Sequence, residues 1–314
     1  MITTVTLNPA IDKTISITKL ILNDANRVSR VEIDAGGKGI NCSRMLKELG
    51  VETKAIAFLG GKTGDFLRMV LEKEGVPLEF VQTEKATRTC IAIEDTTDRP
   101  PTTFNELGGP IEHRELVVLL EMAKDIARSS NFMVFGGSVP VGINQDIYRV
   151  LIQIAIAGGA KAVLDADGEA FNEGLKAIPF MIKPNRDEAE RILGQQFESK
   201  SDVARAALTL AERGIELVVI SLGKQGAIAC YEGIIYDVVP PTIKAASTIG
   251  SGDSMIAGLL YGLDQGMPID EALRMGCAAG AATAMSSGTD IGTKQNIDKL
   301  VSDVKISKIA PSAK

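Results

Sequence analysis

The chain has 314 residues, 45% of them hydrophobic, enough to bury a sizeable core in an α/β fold that stays undivided. Thirty-four basic residues face 40 acidic ones, and the net charge of −6 argues against nucleic acid or an anionic membrane as the main partner, since both reward basic patches. Four scattered cysteines without C-x-x-C spacing argue against a disulfide framework, and neither a signal peptide nor a membrane-spanning run is read, so a cytoplasmic protein is expected.

Thr3–Leu7 reads as a buried strand. Ile15-Ser16-Ile17-Thr18 and Val31-Glu32-Ile33 then alternate apolar with polar, which predicts strands of a small separate sheet or edge strands of a main one. Ala35-Gly36-Gly37-Lys38-Gly39-Ile40-Asn41 leads into Cys42, Met45, Leu46 and Leu49, the stripe of an amphipathic helix, with Gly50 as its stop. The G-x-G-x-x-G spacing is absent there. Gly61-Lys62-Thr63 is not a P-loop either, because Ile56 stands where that loop needs glycine.

Ala55–Leu59 predicts another buried strand, and Thr89–Glu94 alternates again, with a turn over Asp95–Pro101 and a return strand near Thr102–Glu106. From there strands at Phe132–Phe135, Ala162–Leu164, Phe180–Ile182 and Leu217–Ser221 alternate with helices at Leu116–Arg128, Ile147–Ala157 and Val203–Arg213. This rhythm predicts a mostly parallel sheet covered on both faces. Ala227–Cys230 and Ile234–Val238 read as a hairpin, and residues 309–314 are expected to fray.

Gly250-Ser251-Gly252-Asp253 precedes Met255, Ile256, Leu259, Leu260 and Leu263, so a helix is predicted to start near Asp253. Free N–H groups and the positive end of a macrodipole favour an anion there, and small residues let a phosphate approach. Asp253 in the same turn would take a proton from a substrate hydroxyl, although an ordinary glycine-rich N-cap has the same appearance. Two glycine-rich helix starts far apart in sequence predict two ligands meeting in one cleft. Asn185 and Glu188 fall one turn apart after Pro184, a spacing that suits both a metal–phosphate site and a capping box. The one histidine, His113, lies in a polar stretch, so Ser138 has no partner for a catalytic triad.

These turns together resemble the PfkB branch of the ribokinase-like carbohydrate kinases, within it the phosphosugar kinases. The opening Thr6-Leu7-Asn8-Pro9-Ala10-Ile11-Asp12, the turn Gly36-Gly37-Lys38-Gly39-Ile40-Asn41, Thr87-Arg88, Gly137-Ser138-Val139-Pro140, Lys183-Pro184-Asn185-Arg186-Asp187-Glu188, Ser221-Leu222-Gly223-Lys224-Gln225-Gly226-Ala227 and Gly250-Ser251-Gly252-Asp253 occur in the family's order. Ser247 stands where kinases of unphosphorylated sugars usually carry aspartate, which favours the phosphosugar subgroup. Cys90 looks more like tagatose-6-phosphate kinases than 1-phosphofructokinases.

The resemblance implies a three-layer α/β/α kinase domain over residues 1–314, with lid strands inserted at about 11–35 and 88–106. It implies transfer of the γ-phosphoryl of ATP to a ketohexose phosphate. Fructose 1-phosphate leads, tagatose 6-phosphate and fructose 6-phosphate are the alternatives, and a sensor without turnover is the rival. Asp253 would be the base, with the N–H groups of Gly250, Ser251 and Gly252 stabilising charge. Asp12, Gly37 and Asn41 would hold the sugar beside Cys90 and Ser138, while Lys38 and Arg88, helped by Arg27, would meet its phosphate. ATP would lie against Lys183, Asn185 and the loop Ser221, Leu222, Gly223, Lys224, Gln225 and Gly226. Mg²⁺ would reach Asn185 and Glu188 mostly through water. A homodimer joined through apolar lid faces is expected, because the ligand-facing side of a small sheet is polar and its other side needs cover.

Overall fold

The computed structural model describes residues 1–95 and 101–309. Among these, β1 (Ile2–Thr6) is followed by β2 (Ala10–Ile17), β3 (Val28–Gly36), α1 (Lys38–Glu48), β4 (Thr53–Leu59), α2 (Gly61–Glu74) and β5 (Leu78–Gln82). Next come β6 (Arg88–Glu94), β7 (Thr102–Asn105), α3 (His113–Ala127), β8 (Phe132–Gly136), α4 (Ile147–Ala157), β9 (Lys161–Asp165), α5 (Gly168–Leu175) and β10 (Met181–Ile182). The last part holds α6 (Arg186–Leu193), α7 (Lys200–Ala211), β11 (Leu217–Ser221), β12 (Ala227–Tyr231), β13 (Ile234–Val239), α8 (Ser251–Asp264), α9 (Ile269–Ala284), α10 (Lys294–Leu300) and β14 (Lys305–Ile309).

One sheet has the order β14-β13-β12-β11-β10-β9-β8-β1-β4-β5, parallel from β11 to β5 and antiparallel from β11 to β14. Its central strands are buried on both faces, which explains their unbroken apolar runs. β1 instead carries three threonines. Thr3 and Thr4 satisfy their buried hydroxyls on Ser130 (2.7 Å) and Ser43 (2.8 Å), while the Thr6 hydroxyl has no partner. Leu119, Leu151, Phe171 and Leu210 of α3, α4, α5 and α7 cover one face; Met45, Leu259, Ala278 and Ile297 of α1, α8, α9 and α10 cover the other. At the α8–α9 crossing a Cβ on Gly258 would lie 2.7 Å from the Met275 carbonyl oxygen, so the close approach depends on that glycine.

The alternating segments form a second sheet of order β3-β2-β6-β7, not edges of the first. Asp12, Asp34 and Cys90 are in register on one of its faces, turned to the body of the protein. Lys13, Ile33 and Ile91 are in register on the other, with Phe104 opposite Ile91. Val31 and Ile33 are each 47% exposed and Phe104 56%. Ile17 departs from the expected alternation: a bulge between Ser16 and Ile17 breaks the register, and Ile17 is buried within this chain. Thr289 Oγ1 donates to Asp34 Oδ2 (2.5 Å), fastening this sheet to the segment after α9.

β5 and β14, the two outermost strands of the large sheet, are absent from the sequence reading, as is α2. β14 also corrects the expected fraying of residue 309, which pairs with Ile235. Residues 310–314 and the core of the expected turn, 96–100, lie outside the described residues.

Candidate active site

Crossovers leave β1 in both directions, to β4 and β5 on one side and to β8 and β9 on the other. Such a reversal opens a crevice beyond the carboxyl ends of the strands, where open α/β sheets bind ligands. A cleft of about 390 Å³ lies there, between the large sheet and the small one.

Asp12, Gly37, Asn41, Arg88 and Ser138 line one part of it. Arg88 starts β6 opposite Ala10, and its Nε and Nη1 donate to the carbonyls of Asn8 (3.2 Å) and Glu106 (2.9 Å). These bonds fix the guanidinium and leave three N–H donors for a ligand. Asn8 Nδ2 donates to Ser138 Oγ (3.0 Å), placing that hydroxyl beside the arginine. Burial pushes the Asp12 carboxyl up to about 6, Arg88 and Arg44 working against it and Asp34 with it. Gly36 gives this carboxylate its space: a Cβ there would lie 2.0 Å from Asp12 Oδ2 and displace it.

Gly250, at φ +74°, turns the chain into α8 in a conformation that L side chains rarely adopt. The first-turn N–H groups of α8 have no partners within the helix, which makes the turn an anion cradle. Asp253, 7% exposed, accepts a hydrogen bond from Asn41 Nδ2 at 2.9 Å. Burial and then the neighbouring Asp165 raise its carboxyl to about 7, against the opposing pull of Lys38, Asn41 and Lys183. Asp165, at the end of β9, lies 3.2 Å from Lys38 Nζ and 3.5 Å from Lys183 Nζ. Its burial would raise its pKa, but the two lysines win and hold it low.

Asn185 caps α6 in a reciprocal box. Its Oδ1 accepts from the Glu188 N–H (2.9 Å), and Glu188 Oε2 accepts from the Asn185 N–H (2.8 Å). The capping and metal readings are therefore compatible, since the second Glu188 oxygen is left over and both side chains line the cleft. Among the described residues no group of three or more His, Cys, Asp or Glu would hold a metal unaided. That donor set fits Mg²⁺ arriving with nucleotide phosphates, because this ion keeps waters and takes one or two carboxylates. A bridge from Asn185 to Ser221 sets the loop at 221–226 beside the start of α6, with Gly223, Lys224 and Gln225 exposed and Leu222 and Gly226 half-buried.

The cleft thus collects Asp12, Gly37, Lys38, Asn41, Arg88 and Ser138 with Lys183, Asn185, Glu188, Gly250, Gly252 and Asp253. It does not collect Arg27, exposed on the loop between β2 and β3, nor the Ser251 side chain. Cys90 lines a neighbouring recess with Thr14, not the cleft itself. Lys38, expected to meet the sugar phosphate, lines the cleft with its ammonium 3.2 Å from Asp165 Oδ1. Asp165 and Asn8 are the residues that the sequence reading gave no role. An acid ending an apolar strand was the available signal for Asp165, because strand ends at a switch point face the ligand.

The chain matches the model of the pfkB family of carbohydrate kinases over residues 5–296. It belongs to that family. Among curated relatives, 1-phosphofructokinase of Borreliella burgdorferi is 33% identical over 99% of this chain and 100% of its own length. Tagatose-6-phosphate kinase of Staphylococcus epidermidis is 31% identical over 98% and 100%. Among solved structures, phosphofructokinase-2 from Escherichia coli in complex with substrates and products superposes with a TM-score of 0.91 at 29% identity, covering 96% of this chain and 98% of that one. The pfkB chain is an ATP-dependent carbohydrate kinase with the ribokinase-like fold. No helix among the described residues is long and apolar enough to cross a membrane.

Proposed function

We propose that the protein transfers the γ-phosphoryl group of ATP to a primary hydroxyl of a ketohexose phosphate in the cytoplasm, with fructose 1-phosphate the leading acceptor. The observation that carries this reading is one cleft holding a carboxylate, Asp253, at an anion-binding helix start, and a fixed guanidinium, Arg88, on the sugar side. The relatives' names support a phosphorylated sugar as acceptor.

Asp253 would accept the hydroxyl proton while the N–H groups at the start of α8 stabilise the transferred group. Asp12 and Asn41 would hold sugar hydroxyls, and Arg88 and Ser138 the phosphate that the acceptor already carries. Lys38 and Lys183, held together by Asp165, would lie along the transferring phosphates. Mg²⁺ bound with ATP would neutralise phosphate charge, and Asn185 and Glu188 are the residues that would hold it, mostly through water.

The exposed apolar side of the lid supports a homodimer in which two lids cover one another. ADP release from Mg-ATP with fructose 1-phosphate, fructose 6-phosphate and tagatose 6-phosphate tests the activity and ranks the acceptors. Absence of turnover with all three would sink the kinase reading in favour of a sensor. A relative named tagatose-6-phosphate kinase over the full length makes that sugar the second acceptor to test.

A further inference from the structure

Asn41 is a costly residue for its position. It lies in the first part of α1, 5% exposed, where asparagine is a poor helix former and its Oδ1 has no partner. Its other end explains its presence. An ionised carboxylate only accepts hydrogen bonds, so the amide must turn its NH₂ to Asp253 Oδ2, at 2.9 Å, from an element 212 residues away in sequence. Asn41 is thereby the side-chain link between the glycine turn that starts α1 and the one that starts α8.

We propose that Asn41 is a positioning residue for the base: its amide fixes the Asp253 carboxylate toward the acceptor and keeps it ionised in a buried site. This rests on the kinase reading, with Asp253 as base, and is separate from any contact that Asn41 makes with sugar. The charged groups around Asp253 are Asp165 from β9, Lys38 from α1 and Lys183 after β10, with Glu188 of α6 behind Lys38 and the buried Cys42 thiol beside it on α1. The lysines are shared with Asp165, which lies between them. Burial and Asp165 both oppose ionisation of Asp253; Lys38 counters them most, and the Asn41 hydrogen bond comes next, as a directed contact on the carboxylate itself.

The test compares wild type with Asn41→Leu, which is close in volume and removes the donor without adding a charge, and with Asn41→Ala, which removes it without adding bulk. The acid limb of kcat is expected to move up by roughly one to two pH units in both, the range for a hydrogen bond to a charged group. Activity at pH 6 then falls about ten- to a hundred-fold and recovers toward pH 9. An unmoved limb with a raised KM for the sugar phosphate would overturn the proposal and leave Asn41 as a sugar ligand alone. Carbon-13 NMR titration of the Asp253 carboxyl, assigned by its loss in Asp253→Asn, reads the same shift without turnover. An Asp253 titration unchanged by Asn41→Leu overturns the proposal even if every acceptor tried is wrong. Wild type that turns over no sugar phosphate would count against the kinase reading instead.

Discussion

A carboxylate buried beside another carboxylate titrates late, and Asp253 does so at about 7. A base must be ionised to work, so kcat/KM should fall as pH drops below about 7, measured at saturating Mg-ATP. Asp253→Asn should lower kcat by at least ~100-fold and remove that limb while ATP binding survives, because the swap is isosteric and deletes a negative charge from a phosphate site. Arg88→Ala should raise KM for the sugar phosphate roughly ten- to a hundred-fold and leave KM for ATP nearly unchanged. Equal effects on both substrates would show that Arg88 acts by shaping the lid. Asp253 was legible in the sequence because its turn is continuous, with small residues, an acid and a helix all within reach of one another. Asp165 was not. Its lysines come from 127 residues before it and 18 after it, and nothing in a strand ending in aspartate announces them.

At the scale of elements, the large helices and buried strands were readable from period and run length. The edges were not: β14 (Lys-Ile-Ser-Lys-Ile) has mostly exposed residues and pairs with β13 alone, so its pattern resembles a polar tail. The lid strands were readable by alternation, but the bulge that buries Ile17 depends on how β3 returns to β2 and has no local signature. This decides which residues test the lid interface. Ile33→Lys and Val31→Lys change exposed positions and should yield monomers by light scattering, with wild type a dimer at micromolar concentration. A wild-type monomer would refute the proposed homodimer, whereas Ile17→Lys would only unfold the lid. In the body, Gly258→Val should cost about 1–3 kcal/mol and lower the melting temperature, because α8 and α9 have no room for the added methyl groups.

For the whole molecule, Asp12 and Asp253 make stability depend on pH in an unusual direction. Their folded pKa values, about 6 and about 7, exceed the ordinary 3.8, so the protonated forms favour folding. This contribution is complete below about 4 and is lost as pH rises through 6 and 7. The Asp253→Asn protein, without ligands, should therefore be the more stable form at pH 8, and its advantage should vanish near pH 4 in thermal melts at both values. A gap that widened toward low pH would mean that Asp253 is ionised and stabilising in the empty cleft.

The span between the two glycine turns also has a consequence for synthesis. Asp12, Asn41 and Arg88 leave the ribosome early, while Asp253 and its helix follow only after β13, with most of the large sheet already made. Until then the apolar side of α1, with Met45 and Leu46, lacks the α8 surface that covers it. A chain interrupted before residue 245 would carry Asp12, Asn41 and Arg88 without Asp253, and an uncovered helix. Such a fragment should be a substrate for proteases and chaperones, so phosphoryl transfer and completion of the core arrive together, at the end of translation.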